Sequence, residues 1–162
     1  MALFHFPSQV NERAARLVAV GVVLTLTLAL VSNVHWLVAV VAFGFLLRVA
    51  WGPKVSPLGR IAVALAGELW EQRPVSGAPK RFAQAVGVGF SAAASVLLFT
   101  GHVVFGWSLV GVLVAFASLE AGAGFCAGCF VYARLQARGW LPADACVDCA
   151  PKPNSGSAPD AV

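Results

Sequence analysis

Four long apolar segments alternate with polar segments along the chain, and each has the length of a membrane-crossing helix. They cover residues 17–34, 35–51, 82–100 and 103–132. At 1.5 Å of rise per residue, the shortest of these helices is about 25 Å long, which is close to the thickness of a bilayer's hydrocarbon core. None of the segments shows the apolar–polar alternation of a transmembrane β-strand. The pattern therefore predicts an all-α, polytopic membrane protein with four transmembrane helices arranged as two hairpins.

The positions of the apolar segments divide the chain into three parts. Residues 1–16 form a short polar segment, residues 17–138 the transmembrane domain, and residues 139–162 a flexible tail rich in Pro, Ala, Ser and Gly. In the connection between the second and third spans, residues 57–71 carry apolar residues at helical spacing, with charged residues off that stripe. This segment predicts an amphipathic helix on the inner membrane surface. The alternative is a connector packed on the cytoplasmic end of the bundle.

Composition and charge placement both indicate a membrane environment. Of the 162 residues, 59% are hydrophobic and 11% are charged, whereas soluble domains carry about 25% charged residues. The eleven basic residues flank the apolar segments, and they form no basic face with interleaved aromatics that would bind nucleic acid. With four spans, all eleven lie on the side that holds both termini and the loop 52–81, or at the membrane edge of that side. The positive-inside rule therefore predicts that both termini are cytoplasmic.

Small residues predict where the helices approach each other closely. Ala85, Gly89 and Ala93 recur at helical spacing in the third span, as do Gly124 and Gly128 in the fourth. The third and fourth helices are therefore expected to pack tightly against each other. The segments that open the two hairpins are also similar to each other, which predicts two parallel hairpins related by an axis along the membrane normal.

A Cys-x-x-Cys pair, Cys126 and Cys129, lies at the cytoplasmic end of the fourth predicted span. Two cysteines three residues apart share a helix face, so their sulfurs can exchange a disulfide or bind one metal. The cytoplasm is reducing, which favours a catalytic or metal-binding role over a stable disulfide. In the redox interpretation, Cys126 is the attacking thiol and Cys129 the resolving thiol of thiol–disulfide exchange or sulfur relay. The alternative is that both are small packing residues.

The redox interpretation needs a lowered pKa for the attacking thiol, and a helix N-terminus directed at that thiol is the usual means. Gly122 and Gly124 precede Cys126, so a break of the fourth helix at these glycines would place Cys126 at the start of a new helix. On a continuous helix this means of lowering the pKa is absent. Glu120 would then also face away from both cysteines, because successive residues turn by 100°.

A second pair, Cys146 and Cys149, follows in the tail. The spacing of the two pairs fits a four-thiolate zinc site made of Cys126, Cys129, Cys146 and Cys149. Zinc is therefore the cofactor of an alternative interpretation, a metal-binding membrane module, whereas the redox interpretation predicts no cofactor. The tail pair is also placed to exchange disulfides with the first pair.

Arg48 and Glu120 are charged residues within the predicted spans. Arg48 lies thirteen residues from the outer start of its span, and Glu120 about seventeen from its own. Since unpaired charges are costly inside a bilayer, we expect an interhelical ion pair between them. It would act either as a structural clamp or as an ion relay in a scaffold or transport subunit. Transport would require a homo-oligomer, because four helices are too few to enclose a wide pore.

Four sequence motifs, spread over residues 9–138, are similar to those of one bacterial family of integral membrane proteins, domain of unknown function 4395. The motifs are a basic residue with Asn11 before the first span, Trp51-Gly-Pro-Lys-Val-Ser-Pro-Leu, Arg81-Phe-Ala-Gln, and Gly124-Phe-Cys-Ala-Gly-Cys. The resemblance implies a four-span protein of the bacterial inner membrane, without an established activity. It also implies association with thioredoxin-like and sulfurtransferase proteins, which are the expected cytoplasmic partners beside the lipid bilayer.

Overall fold

The structure, a computed structural model, describes residues 9–52, 55–69, 71 and 74–140. This part of the chain contains six helices and one two-stranded antiparallel ribbon. In chain order, the elements are β1 Gln9–Asn11, α1 Glu12–Ser32, α2 His35–Trp51, α3 Pro57–Leu69, β2 Pro74–Ser76, α4 Gly77–Phe99, α5 Val103–Ala123 and α6 Ala127–Ala137. The predicted tail from residue 141 onward, with Cys146 and Cys149, lies outside the described residues.

Three of the described helices, α1, α4 and α5, are long and apolar enough to cross a membrane, and α2 is a shorter apolar helix. Only 33%, 28% and 17% of the most apolar windows of α1, α4 and α5 are buried inside the protein. Most residues in these windows are therefore at least partly exposed. Extended exposed apolar surface of this kind is rare on soluble monomers. The chain is thus an all-helical protein with the apolar helices of a membrane protein.

The helix α1 begins five residues earlier than the predicted first span. Asn11 caps it, since its side-chain oxygen accepts a hydrogen bond from the backbone N–H of Arg13 at 3.0 Å. Asn11 also pairs with Pro74 in the β1–β2 ribbon, an element that no sequence pattern predicted. The ribbon joins the start of α1 to the segment that leads into α4.

The helix α4 begins at Gly77, five residues before the predicted start of the third span. Pro79 lies in its first turn, where a residue without an N–H sacrifices no helical hydrogen bond. The predicted loop residues Lys80 and Arg81 therefore belong to the helix. Within α4, the buried hydroxyl of Ser91 donates to the carbonyl of Gly87, one turn back, so the helix itself satisfies this polar group.

The fourth predicted span, 103–132, is two helices rather than one. α5 ends at Ala123, and Gly124 adopts the left-handed conformation with φ 68°. Its N–H donates to the carbonyl of Glu120 at 3.1 Å, as in an αL helix cap. Glycine reaches this conformation without the steric cost that a side chain would add. The helix break that the sequence analysis treated as one of two possibilities is therefore present, and α6 follows it.

The four long helices form a square in which each packs against two neighbours. α1 packs on α2 and α5, and α4 also packs on α2 and α5. α2 and α5 are therefore diagonal to each other, as are α1 and α4. Buried apolar residues from all four helices fill the centre, among them Leu26, Val38, Ala94 and Val110.

Polar and aromatic contacts align the helices at both ends of the square. At the end with the connections 33–34 and 100–102, which we call the turn end, the Trp107 indole N–H donates to Asn33 at 3.2 Å. His35 packs edge-on against the same indole. At the opposite end, which we call the thiol end because Cys126 lies there, Arg81 donates to the backbone carbonyl of α2 residue Val49 at 3.1 Å.

Two glycines allow neighbouring helices to approach α4 closely. A Cβ at Gly87 would lie 2.9 Å from the ring of Phe45 on α2, and a Cβ at Gly128 on α6 would lie 2.6 Å from the Cα of Ala83. The second contact confirms the predicted role of Gly128 against the third span. The other small-residue set that the sequence suggested for this packing is exposed: Ala85, Gly89 and Ala93.

The helix α3 is held to α1 by small residues. Gly59, Ala62 and Ala66 are buried, and Leu58 fills the space over Gly21 of α1. The other members of its predicted apolar stripe are exposed: Ile61, Leu65 and Leu69. The helix therefore packs on the bundle, as a connector would, and also presents an apolar stripe outward, as an interfacial helix would. Its position on the membrane surface stays a prediction.

Replacing Gly87 with leucine is expected to lower the unfolding midpoint of the purified protein in detergent, because the new side chain must displace the Phe45 ring. Overpacking of this kind costs about 1–3 kcal/mol. Gly89→Leu is the matched control on the same helix, since no atom lies within 4 Å of a Cβ at Gly89. Thermal unfolding of both variants measures the difference, and equal losses of stability would contradict the packing described.

Candidate functional site

A cavity of about 300 Å³ lies at the thiol end, where α6 packs on α4. Apolar side chains from α1, α2, α4, α5 and α6 make up most of its wall. Four polar residues also line it: Lys80, Gln84, Glu120 and Cys126. The helix break thus places one member of the Cys-x-x-Cys pair and the carboxylate of α5 on the same cavity.

Cys126 is the N-cap residue of α6, with an extended backbone conformation. Its sulfur accepts a hydrogen bond from the backbone N–H of Cys129 at 3.4 Å. In most helices a Ser, Thr, Asp or Asn oxygen occupies this position and accepts the same N–H. The free amides and the dipole at a helix N-terminus favour negative charge, so the position stabilises a thiolate over a thiol.

The two thiols are free and half-buried, and they are not equivalent. Hydrogen bonding from the Cys129 side chain lowers the pKa of Cys126, and the Lys80 ammonium acts in the same direction, against the effects of burial and of Glu120. The same thiol–thiol hydrogen bond, together with burial, raises the pKa of Cys129. Cys126 is therefore the thiol that ionises first, which is the order required of an attacking Cys126 and a resolving Cys129.

An ion pair between Lys80 and Glu120 lies beside the thiols. Lys80 Nζ and Glu120 Oε1 are 2.5 Å apart, and the two side chains are only 11% and 21% exposed. Counted from the turn end, Lys80 lies about 28 Å along α4 and Glu120 about 26 Å along α5. The two charges therefore meet at nearly the same depth, close to where the hydrocarbon core of a bilayer ends.

The predicted ion pair between Arg48 and Glu120 is not the arrangement in the structure. Arg48 lies about 20 Å from the turn end, one helical turn short of Glu120, and α2 and α5 are diagonal to each other. Arg48 is 1% exposed; it donates to Ser56 Oγ at 3.1 Å and lies over the ring of Phe45. Ser56 in turn accepts the N–H of Gly59 and caps α3. Arg48 is thus a structural clamp between α2 and α3.

Sequence reasoning missed Lys80 as the partner of Glu120. Lys80 lies before the first apolar residue of the third span, so the pattern placed it in the loop. Measuring depth from the predicted outer turn, rather than from the first apolar residue, would have put Lys80 and Glu120 at matching levels. Pro79 directly precedes Lys80, and proline is tolerated in the first turn of a helix.

Arg16 of α1 covers the helix break. A Cβ at Gly124 would collide with the Arg16 guanidinium, which also pairs with Glu12 at 2.7 Å. Gly124 is therefore required for two independent reasons, its positive φ and the cation packed against it. This contact lies at the helix break that places Cys126 at the start of α6.

The four-cysteine zinc module stays a prediction. Its second half, Cys146 and Cys149, lies outside the described residues. Among residues 9–52, 55–69, 71 and 74–140, no group of three or more His, Cys, Asp and Glu side chains is placed to hold a metal ion. Cys126 and Cys129 would need the tail pair to complete such a site.

Removing one charge of the Lys80–Glu120 pair is expected to destabilise the protein by about 3 kcal/mol, because the partner charge is then buried without compensation. Lys80→Met should therefore lower the unfolding midpoint strongly. The double variant Lys80→Met/Glu120→Gln should recover much of the loss, since no unpaired charge remains. Thermal unfolding of the wild type, both single variants and the double variant measures the coupling, and additive losses would show that the pair does not interact.

Comparison with known proteins gives one match. No curated protein and no solved structure matches the chain. A family model described as domain of unknown function (DUF4395) matches residues 10–137. The match includes every described helix and the residues Lys80, Glu120, Cys126 and Cys129. This chain therefore belongs to the DUF4395 family.

Proposed function

We propose that this protein is a membrane-embedded thiol–disulfide exchange protein that acts at the cytoplasmic face of the membrane. The observation that carries the proposal is the position of Cys126 at the N-cap of α6, where its sulfur accepts the Cys129 N–H. A residue that served only as a helix cap is usually Ser, Thr, Asp or Asn, whose oxygen is a better acceptor than a sulfur. A nucleophilic thiol gains a lowered pKa, a nearby Lys80 ammonium and a resolving thiol one turn away.

The exchange proceeds in two balanced steps. The Cys126 thiolate attacks one sulfur of a partner disulfide, and the other partner sulfur leaves as a thiolate that takes up a proton. Cys129 then loses its proton and attacks the Cys126 sulfur, which releases the second partner thiol and forms the Cys126–Cys129 disulfide. The partner gains two electrons, and the reverse sequence oxidises a partner dithiol. A sulfur relay would use the same nucleophile on a persulfide.

The contacts of α2 support a fourth span in this proposal. His35, at its start, packs against Phe99 and Trp107 at the turn end, and Val49, near its end, accepts from Arg81 at the thiol end. α2 therefore extends between the same two levels as its neighbours, although it has only 17 residues. Two hairpins with α1 diagonal to α4 then fit a two-fold relation about the membrane normal.

The distribution of basic residues supports a cytoplasmic thiol end in a bacterial inner membrane. The partner we propose is the one that the family resemblance implies, a soluble thioredoxin-like or sulfurtransferase protein. At the thiol end, α6 and the residues after it present exposed apolar and basic side chains to such a partner: Phe130, Arg138 and Trp140.

A trapping experiment tests the exchange function. In cells, Cys129→Ser should accumulate a mixed disulfide on Cys126, because the resolving thiol is missing. Cys126→Ser, which keeps Cys129, is the matched control and should trap far less. Affinity purification without reductant, followed by mass spectrometry of the disulfide-linked peptides, gives the readout. Equal trapping by both variants, or none by Cys129→Ser, would overturn the proposal.

The pH dependence of alkylation tests the activation of Cys126. Thiolates are the reactive species, so a lowered pKa moves the rate profile to lower pH. For the wild type, the midpoint for Cys126 should lie below the value of about 8.5 for a free thiol, and that for Cys129 above it. Iodoacetamide labelling followed by peptide mass spectrometry separates the two thiols.

Two glycine variants provide the matched comparison for this profile. Gly124→Ala is expected to move the Cys126 midpoint upward, since a side chain there disturbs the break and collides with Arg16. Gly122→Ala should leave the midpoint unchanged, because a Cβ at Gly122 meets nothing within 4 Å. A Cys126 midpoint at or above that of a free thiol in the wild type would contradict the activation.

A further inference from the structure

The cavity at the thiol end has an apolar rim as well as apolar walls. Val86, Phe116 and Val131 line it and are also 40%, 46% and 46% exposed on the outer surfaces of α4, α5 and α6. Those surfaces belong to the apolar exterior that faces lipid. A molecule dissolved in the bilayer would therefore reach Cys126 through this rim without passing through water.

The interior of the cavity has the composition of a small-molecule site. Its volume of about 300 Å³ is at the lower end of the range of roughly 300–1,000 Å³ that is typical of ligand pockets. Lys80 brings a cation and Cys126 a nucleophile. The carboxamide oxygen of Gln84 is buried, and it has no hydrogen-bond partner in the described part of the chain. A few convergent polar groups in an apolar pocket are the usual signature of a binding site.

We propose that this cavity binds a lipid-soluble quinone, which accepts the two electrons of the Cys126–Cys129 dithiol. The inference rests on the proposed function, because it needs the pair to be redox-active. A dithiol releases two electrons and two protons when it becomes a disulfide. A quinone accepts the same number of each, and its planar ring and apolar tail suit an apolar cavity that opens to lipid.

The electrons and protons of the reaction balance between the two thiols and the quinone. A sulfur–sulfur bond forms between Cys126 and Cys129, and both thiol protons are released. The two electrons reduce the quinone ring, and its two carbonyl oxygens take up two protons to give the quinol. The disulfide that remains on the protein is then available to oxidise a soluble partner dithiol by the exchange described above.

The polar residues of the cavity have separate tasks in this step. The Lys80 ammonium donates to a quinone oxygen and stabilises the negative charge that develops there. Glu120, 2.5 Å from Lys80, keeps the ammonium paired and in place. Once the quinol has formed, one of its hydroxyl groups can donate to the free carboxamide oxygen of Gln84. Lys80 thus supplies a hydrogen-bond donor for the oxygen of the quinone. Gln84 supplies an acceptor for the hydroxyl group of the quinol.

The test uses the reduced, full-length protein in lipid nanodiscs with decylubiquinone, whose fully substituted ring does not undergo thiol addition. The expected result is the formation of the Cys126–Cys129 disulfide and of quinol in equal amounts. Alkylation followed by mass spectrometry quantifies the disulfide, and the absorbance of the quinone quantifies its reduction. A parallel reaction with a small water-soluble disulfide measures the exchange chemistry alone.

Two phenylalanine substitutions on α5 locate the reaction. Ala117 is buried and lines the cavity, whereas Ala115 is exposed and does not. Ala117→Phe should lower the ratio of the quinone rate to the soluble-disulfide rate by about tenfold or more, because the ring occupies ligand space in a closely packed site. Ala115→Phe should leave the ratio unchanged. The unfolding midpoint of each variant shows whether it folds.

The outcomes separate the two proposals. Oxidation by the soluble disulfide without oxidation by the quinone would overturn the quinone site and leave the exchange function standing. No reaction with either oxidant would overturn both. Equal rate ratios in the two phenylalanine variants would show that quinone reacts elsewhere and would overturn the assignment of the cavity. An acyl thioester found on Cys126 in protein from cells would identify the ligand as a fatty acyl group and overturn the quinone.

Discussion

The helix break at Gly124 is the constraint on which the site depends. A straight helix from α5 into α6 would turn Cys126 by about 240° away from Glu120. Gly124 ends α5 in the left-handed conformation, and the Arg16 guanidinium fills the space that a side chain would need. The new helix start then puts Cys126 where a backbone N–H meets its sulfur. One backbone conformation thus creates the thiol's environment and the cavity together.

The adjacency of the helices determines which charged residues meet. Two charges at the thiol end of the bundle meet as Lys80 and Glu120, because their helices are neighbours and the residues match in depth. Arg48 lies one turn closer to the turn end; among the described residues, a serine hydroxyl and an aromatic face contact it rather than a carboxylate. This difference separates their roles. Arg48 fastens α3 to α2, whereas the Lys80–Glu120 pair borders the cavity and influences the thiol.

Much of the architecture was predictable because its causes are local. The four apolar segments, the helix after Ser56 and the polar connections follow from composition and period. The boundaries of α1 and α4 were wrong by five residues each, since the side-chain cap at Asn11 and the first-turn proline at Pro79 extend helices into polar sequence. The Cys-x-x-Cys motif identified the thiols, but the break that makes Cys126 the N-cap of α6 was one of two possibilities that the residues left open.

The sequence by itself determined the membrane-like composition, the all-helical class and the residue types available for chemistry. These properties follow from hydrophobic segments and short motifs, which are local in the sequence. Only the tertiary structure decided which charges meet and where the thiol lies. Those outcomes depend on which helices are adjacent and on the depth at which their residues lie. The contacts involved join residues that are forty or more positions apart in the sequence. Arg48 and Glu120 seemed matched along the chain, but the square packing put them on diagonal helices and brought Lys80 to Glu120 instead.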